Sequence, residues 1–314
     1  MVRFDSHEWG GKRAVRSRVV LVRHKNIFDN RGRLKRPKVT EALDAGLKAL
    51  TGDGDSRDSL RRLFDASGAV ALKLNCLAGR MLSTAPELTF SLAEELHSIG
   101  IGKSSVIIWE RTGRELASAG YSLNPKGGDF RVLATDSRGV GYSRSLFVSG
   151  KVGSLLSRIM TGIADFAINM PILKDHNLAG LSGGMKNYYG AIHNPNKFHD
   201  NNCDPYVADV NAFPDIKDKN RLTVCDCTRV QYHGGPGYKP QWRENFGGIL
   251  LSKDPVALDR IAYNILEELR EKHGLKTLKE EGREPKYIFT AGDDEHKLGS
   301  CSIEDIDFAE VGLS

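Results

Sequence analysis

Apolar and polar positions along the chain sort into short apolar runs separated by amphipathic stretches and turn signals. Residues 18–23 (RVVLVR) predict a first strand, followed by a charged loop over 24–38. A helix is expected over 39–50, with Thr40 near its start, and it breaks in the turn TGDGDS. A second amphipathic helix is expected over about 58–66, then a buried strand over 69–74 (AVALKL) with the loop NCLAGR at its carboxyl end. Thr84, with Pro86 and Glu87 behind it, predicts an N-capped helix that ends at Ile99-Gly100. The next strand is VIIW at 106–109, followed by the loop ERTGR. Strand, loop, helix, strand, loop is the grammar of a parallel α/β unit.

Further on, 120–150 reads as a hairpin or irregular insertion, 152–162 as a helix, and ADFAINM at 164–170 as a buried strand ending at Pro171. Leu222–Val224 and GILLS at 248–252 predict strands, Asp254-Pro255 a turn, 256–272 an amphipathic helix and KYIFT at 286–290 a late strand. The expected fold is α/β, a mostly parallel sheet with flanking helices, in one large domain over 1–314. In such sheets a ligand crevice lies outside the carboxyl ends of the strands. That rule places Arg80, Arg111 and Arg114 at the rim of one crevice.

Composition narrows the class. The chain has 314 residues, 40% hydrophobic and 27% charged, with a formal net charge of +5. Its basic residues are scattered apart from RGRLKRPK, and no helix has a basic face, which argues against a nucleic-acid partner. No run of about 18 apolar residues exists, so no membrane span is expected. The amino-terminal MVRFDSHEWGGKR lacks the apolar segment of a signal peptide. The expected location is cytoplasmic as written, and outside the cytoplasm if a twin-arginine leader preceded it. Five cysteines without framework spacing fit a reduced compartment or one free thiol. A homo-oligomer is left open.

The chemistry concentrates in 171–204, PILKDHNLAGLSGGMKNYYGAIHNPNKFHDNNCD. Gly180, Gly183, Gly184 and Gly190 are interleaved with Lys174, Asp175, His176, Lys186 and Asn187, and glycine lets backbone approach a ligand closely. His176 beside Asp175 suggests an oriented general base. Lys174 suits a carboxylate or phosphate clamp, and Arg80 and Arg114 suit bidentate pairing with a carboxylate. His193, His199, Asp200 and Asp204 suggest a divalent transition metal; the alternative is a self-capped loop. Cys76, Cys203, Cys225 and Cys227 are an alternative set for an iron–sulfur or zinc site, against inert buried thiols. The loop HGGPG with His233 suits a phosphate cradle or a plain turn. Asp226 and Asp254 sit at strand ends as site carboxylates or as turn and cap residues.

With these pieces in view, ALKLNCLAGR, IIWERTGRELASAGY, INMPILKDH, GGMKNYYGAIHNPNKFHDNNCDP, the HGGP loop and LLSKDPVALD resemble the domain-of-unknown-function family 362 over roughly residues 69–260. That family has no generally assigned reaction. More distantly, HNLAGLSGGMK is similar to the H-x-x-AG-x-SGG-x-K signature of the lactate racemase amino-terminal domain. This resemblance implies an acid/base role for His176 and a nickel-pincer nucleotide anchored by Lys186. It implies substrate-anion roles for Arg80 and Arg114. Gly113 and Asn202 stand where that family carries histidines.

The reading is an enzyme acting on a small carboxylate-bearing substrate by isomerase- or oxidoreductase-type chemistry. His176, Lys186 and Lys174 are its catalytic candidates, and Arg80, Arg114 and Asn187 its substrate ligands. The alternatives are a metal- or iron–sulfur-bearing redox partner and a non-catalytic ligand-binding protein.

Overall fold

A computed structural model of the protein describes residues 16–314; the amino-terminal segment read above against a signal peptide lies outside the described residues. The strands are β1 (Ser17–His24), β2 (Val70–Leu74), β3 (Val106–Glu110), β4 (Arg131–Ala134), β5 (Phe147–Ser149), β6 (Val152–Ser154), β7 (Phe166–Met170), β8 (Ile172–His176), β9 (Gly180–Ser182), β10 (Asn220–Gln231), β11 (Arg243–Glu244), β12 (Gly248–Ser252) and β13 (Ile306–Leu313). The helices are α1 (Arg36–Thr51), α2 (Ser56–Leu63), α3 (Pro86–Ser98), α4 (Gly113–Ala119), α5 (Gly184–Asn187), α6 (Tyr206–Asn211), α7 (Pro214–Lys217), α8 (Pro255–Lys272) and α9 (Tyr287–Ala291). The main sheet runs β13-β1-β12-β10-β7-β2-β3-β4. It is parallel throughout except at β12, which is antiparallel to both β1 and β10.

Both faces of this sheet are covered, and the strand period of two shows how. Val19, Leu21, Ile107 and Trp109 enter one core with the buried face of α8. Val20, Val22, Ile108 and Leu72 enter the other with α1 and α3. Among the described residues no helix is long and apolar enough to cross a membrane.

Several local expectations change. Ala85, not Thr84, is the N-cap of α3. The Thr84 hydroxyl instead donates to the Met170 carbonyl (2.6 Å) and accepts from the Asn75 amide (3.0 Å), tying the ends of β2 and β7 together. The helix expected over 152–162 is strand β6, paired with β5, followed by a short π-helical turn at Ile159–Ile163. The strand expected over 286–290 is helix α9, which buries Tyr287, Ile288 and Ala291; a short apolar run does not separate the two states. The strand around 222–224 extends to twelve residues because β10 runs past β7 and takes on β8 and β11 as new partners.

That overrun positions the site. Pro171 breaks the chain between β7 and β8, and its carbonyl accepts from the Asp226 amide at 2.8 Å. Beyond the break β8 pairs with β10 on one side and with β9 on the other. A hairpin therefore stands above the carboxyl ends of β2, β3 and β7.

Asp226, read at a strand end as either a site carboxylate or a turn or cap residue, holds backbone together within β10. It is buried, accepting from the amides of Ala85 (2.9 Å) and Thr228 (2.9 Å) and from the Thr228 hydroxyl (2.6 Å). Asp226→Ala leaves the buried Ala85 amide without an acceptor and is expected to cost about 2–3 kcal/mol of unfolding free energy. Urea unfolding measures this, and a change below about 0.5 kcal/mol, the range of ordinary surface substitutions, contradicts the assignment.

Candidate active site

Alternation along β8 separates its polar residues. Lys174 and His176 face a cavity of about 260 Å³, whereas Asp175 points away from it. Asp175 pairs with Arg283 at 2.6 Å and accepts from the Gly235 amide at 2.9 Å. Arg283 also donates to the His176 carbonyl at 3.0 Å. The expected Asp175–His176 couple is thus absent; the carboxylate anchors the strand from behind. The HGGP loop lies against that back side. Its Gly235 amide goes to Asp175, not to a phosphate, and a Cβ at Gly235 would strike the Asp175 carbonyl oxygen. Pro236 of the same loop lines the cavity.

The second half of the site comes from α5. Its first amides, Gly184 and Met185, donate to the buried Asp259 carboxylate of α8 at 2.5 and 3.0 Å. Burial raises the Asp259 pKa to about 7, and the two amides oppose that shift. A Cβ on Gly183 would collide with the same carboxylate. This clamp fixes the turn that carries Lys186 and Asn187. Asn187 donates to Asn169 (2.7 Å) and accepts from Asn75 (3.2 Å), and Asn75 in turn accepts from Lys174 at 3.3 Å. The cavity floor is the buried Lys73–Glu110 pair at 2.7 Å, from the last turns of β2 and β3. Gly190 packs against it; a Cβ there would lie 2.7 Å from the Lys73 ammonium.

The protonation pattern follows from the hydrogen bonds. The amides of Leu178 and Ala179 donate to His176 Nδ1 at 3.2 and 3.1 Å. The single proton of the neutral ring is therefore on Nε2. Burial first, then the Lys186 charge, pull the His176 pKa down to about 2, so the ring stays neutral and serves as a donor. This corrects the general-base role expected for His176, because its only lone pair is occupied by backbone. His199 is the reverse case. Its Nδ1 lies 3.0 Å from the Pro195 carbonyl, an acceptor, so Nδ1 carries the proton. Its Nε2 lone pair faces Lys186 Nζ at 3.2 Å. Burial and Lys186 lower the His199 pKa, and its ring stacks beside His176 at 5.7 Å.

Lys174 and Lys186 carry the electrostatics. Each is buried, and neither has a carboxylate partner among the described residues. Lys174 rests on an amide oxygen; Lys186 rests on His199 and the face of Tyr189, 4.5 Å from the ring centre. Burial lowers both to about 8, with Lys186 pushing Lys174 further down and Glu110 opposing. Arg111, paired with Glu115 at 3.1 Å, completes the basic lining, and exposed Leu77 and Asn196 stand at the mouth.

Other expected residues lie elsewhere. Arg80 and Arg114 are exposed and do not line the cavity; Arg111 stands there instead. His193 is exposed and packs edge-on to Tyr142, Asp200 is exposed, and Asp204 accepts from Thr290 at 2.6 Å. Of the four proposed metal ligands only His199 reaches the cavity. Among the described residues no three His, Cys, Asp or Glu side chains are grouped to hold a metal. Cys225 and Cys227 are neighbours at 3.8 Å, but Cys76 belongs to the opposite core, so the cysteines form no cluster ligand set. His233 packs against Trp242 at 5.0 Å, and Asp254 caps α8 through the amides of Val256 and Ala257.

Residues 70–264 match the family model described as Domain of unknown function (DUF362). The chain belongs to the DUF362 family. The matched span of this DUF362 protein contains Lys73, Glu110, Lys174, His176, Lys186, His199 and Asp259; Arg283 lies beyond it. No curated protein matches the chain. Among solved structures it is similar to a crystal structure of a protein from Thermotoga maritima, at 12% identity with a TM-score of 0.45, over 76% of this chain and 59% of that one. The DUF362 chain thus spans 59% of the length of that protein.

Replacing an uncompensated buried ammonium by an apolar side chain of similar length removes a desolvation penalty. Lys174→Met is expected to raise unfolding free energy at pH 7 by about 1–3 kcal/mol. The wild-type penalty exists below pH 8, where the folded lysine is charged, and is relieved between about 8 and the ordinary 10.5, where only the unfolded chain binds the proton. The stability gap should therefore narrow as pH rises through that window. Denaturant unfolding at pH 7 and 10 checks both points; a less stable variant at pH 7 contradicts them.

Proposed function

We propose that this cavity is an enzyme active site for a small organic acid and that it catalyses proton transfer at a carbon next to a carbonyl or carboxylate. The observation that carries the reading is the pair of buried lysines without counter-charge facing one solvent-open cavity. An anion bound between them supplies the missing charge, so recognition and relief of the desolvation penalty are the same event.

The roles follow from the protonation states. Lys174 holds the anion as an ammonium, with Arg111 nearer the mouth. His176 Nε2–H donates to the oxygen on which charge develops, as a neutral imidazole that cannot lose its place by titrating. The Lys186–His199 pair takes the proton from carbon and returns it, since it combines a lowered ammonium with an imidazole lone pair directed at it. Removal and return of one proton is isomerase-type chemistry and needs no co-reactant.

The test is solvent exchange. The protein is incubated in deuterium oxide with a panel of small 2-hydroxy and 2-oxo acids, and deuterium at the carbon next to the carbonyl or carboxylate is read by proton NMR. At least one acid is expected to stabilise the protein thermally and to exchange. Lys186→Met is expected to lower the exchange rate by about 10²-fold or more. Acids that bind without any exchange would turn the reading into a binding protein, and acids that neither bind nor exchange would remove it.

A further inference from the structure

Lys174 and Lys186 are alike in burial but not in surroundings. Lys174 Nζ has an amide oxygen beside it, 3.3 Å away, which can only accept; nothing next to it takes its proton. Lys186 Nζ has an imidazole lone pair at 3.2 Å, held in place because the other ring nitrogen is tied to the Pro195 carbonyl. The two lysines also differ in anchorage. Lys174 stands on the hairpin strand, while Lys186 projects from the single turn clamped by Asp259. The site therefore pairs a fixed cation with an amine that has its own proton acceptor. Such a pairing suits a ligand carrying a carboxylate beside an electrophilic carbon.

We infer that Lys186 is a covalent nucleophile that forms an imine with the carbonyl carbon of a 2-oxo acid, while Lys174 holds the carboxylate. This rests on the proposed anion site and deepens it. In the first step the Lys186 Nζ–H proton passes to His199 Nε2 as the Nζ–C bond forms and the carbonyl π pair moves onto oxygen. His176 Nε2–H hydrogen-bonds that oxygen throughout, while His199 delivers the first proton to it, takes a second Nζ–H proton and delivers that as well, so that the oxygen leaves as water while the nitrogen lone pair closes the C=N bond. One lysine ammonium and one carbonyl become one protonated imine and one water, without oxidant or reductant. The protonated imine then acidifies the neighbouring C–H bond, which is where exchange of that hydrogen would arise.

Pyruvate and sodium cyanoborohydride provide the test. The 314-residue chain is incubated with both, and intact mass and peptide mapping locate any reduced adduct, while a thermal shift with pyruvate alone reports binding. The expected result is one adduct, on the peptide containing Lys186, with none in Lys186→Arg, which keeps the charge. His199→Gln is expected to slow trapping by about 10²-fold while leaving the thermal shift in place. Circular dichroism of each variant separates loss of chemistry from loss of fold. A thermal shift without an adduct at Lys186, or adducts spread over surface lysines, overturns the covalent role and leaves the anion site standing. A protein showing neither shift nor adduct overturns the covalent role for this acid class, and the solvent-exchange panel then decides separately on the anion site.

Discussion

Two ammonium groups held out of water without a carboxylate between them are the constraint around which this structure is arranged. Burying a charge is costly unless it is paired, and most buried lysines solve the problem as Lys73 does, with Glu110 at 2.7 Å. Lys174 and Lys186 do not. They retain a lowered proton affinity, to about 8, in a cavity that opens at one side. A fold tolerates such an arrangement only where surrounding structure over-determines it, and here the supports can be named.

From behind, Asp175 receives Arg283 and the Gly235 amide, and Arg283 reaches on to the His176 carbonyl. Below, Asp259 fixes the turn under Lys186 through two amides. Across, the asparagines Asn75, Asn169 and Asn187 form a chain of amide hydrogen bonds that ends at Lys174. Glycines appear where these supports come too close for a side chain. Gly183 lies against Asp259, Gly190 against the Lys73–Glu110 pair and Gly235 against the back of β8. The acidic groups thus face away from the cavity or are consumed in holding it, and the basic ones face inward.

Much of this was legible in the order of residues. The strand–loop–helix grammar located the parallel sheet, and the glycine-padded run 171–204 marked Lys174, His176, Lys186, Asn187 and His199, all of which line the cavity. What escaped has a common physical origin. Lys73 and Glu110 sit at the ends of apolar strand runs, where the period of two hides a single inward polar residue. Asp259 lies within the apolar stripe of α8; a carboxylate at a position that should be buried was the available signal. Arg283 comes from a segment whose placement depends on long-range packing alone. The roles of neighbours were misjudged for a related reason. Asp175 and His176 are adjacent in the chain, and strand geometry sends adjacent side chains to opposite faces. Arg114 and Arg111 are separated by the start of α4, and only the latter turns toward the cavity.

The central claim is that Lys174 and Lys186 are charged at neutral pH only at a cost that an anion removes. Selective isotope labelling of lysine side chains, with assignment by the two Lys→Arg variants, allows each ammonium to be titrated by NMR. Both are expected to titrate near 8 in the free protein, and to move upward together once a bound organic acid lies between them. Titration of both groups at the ordinary lysine value, unchanged by any acid, would contradict the account.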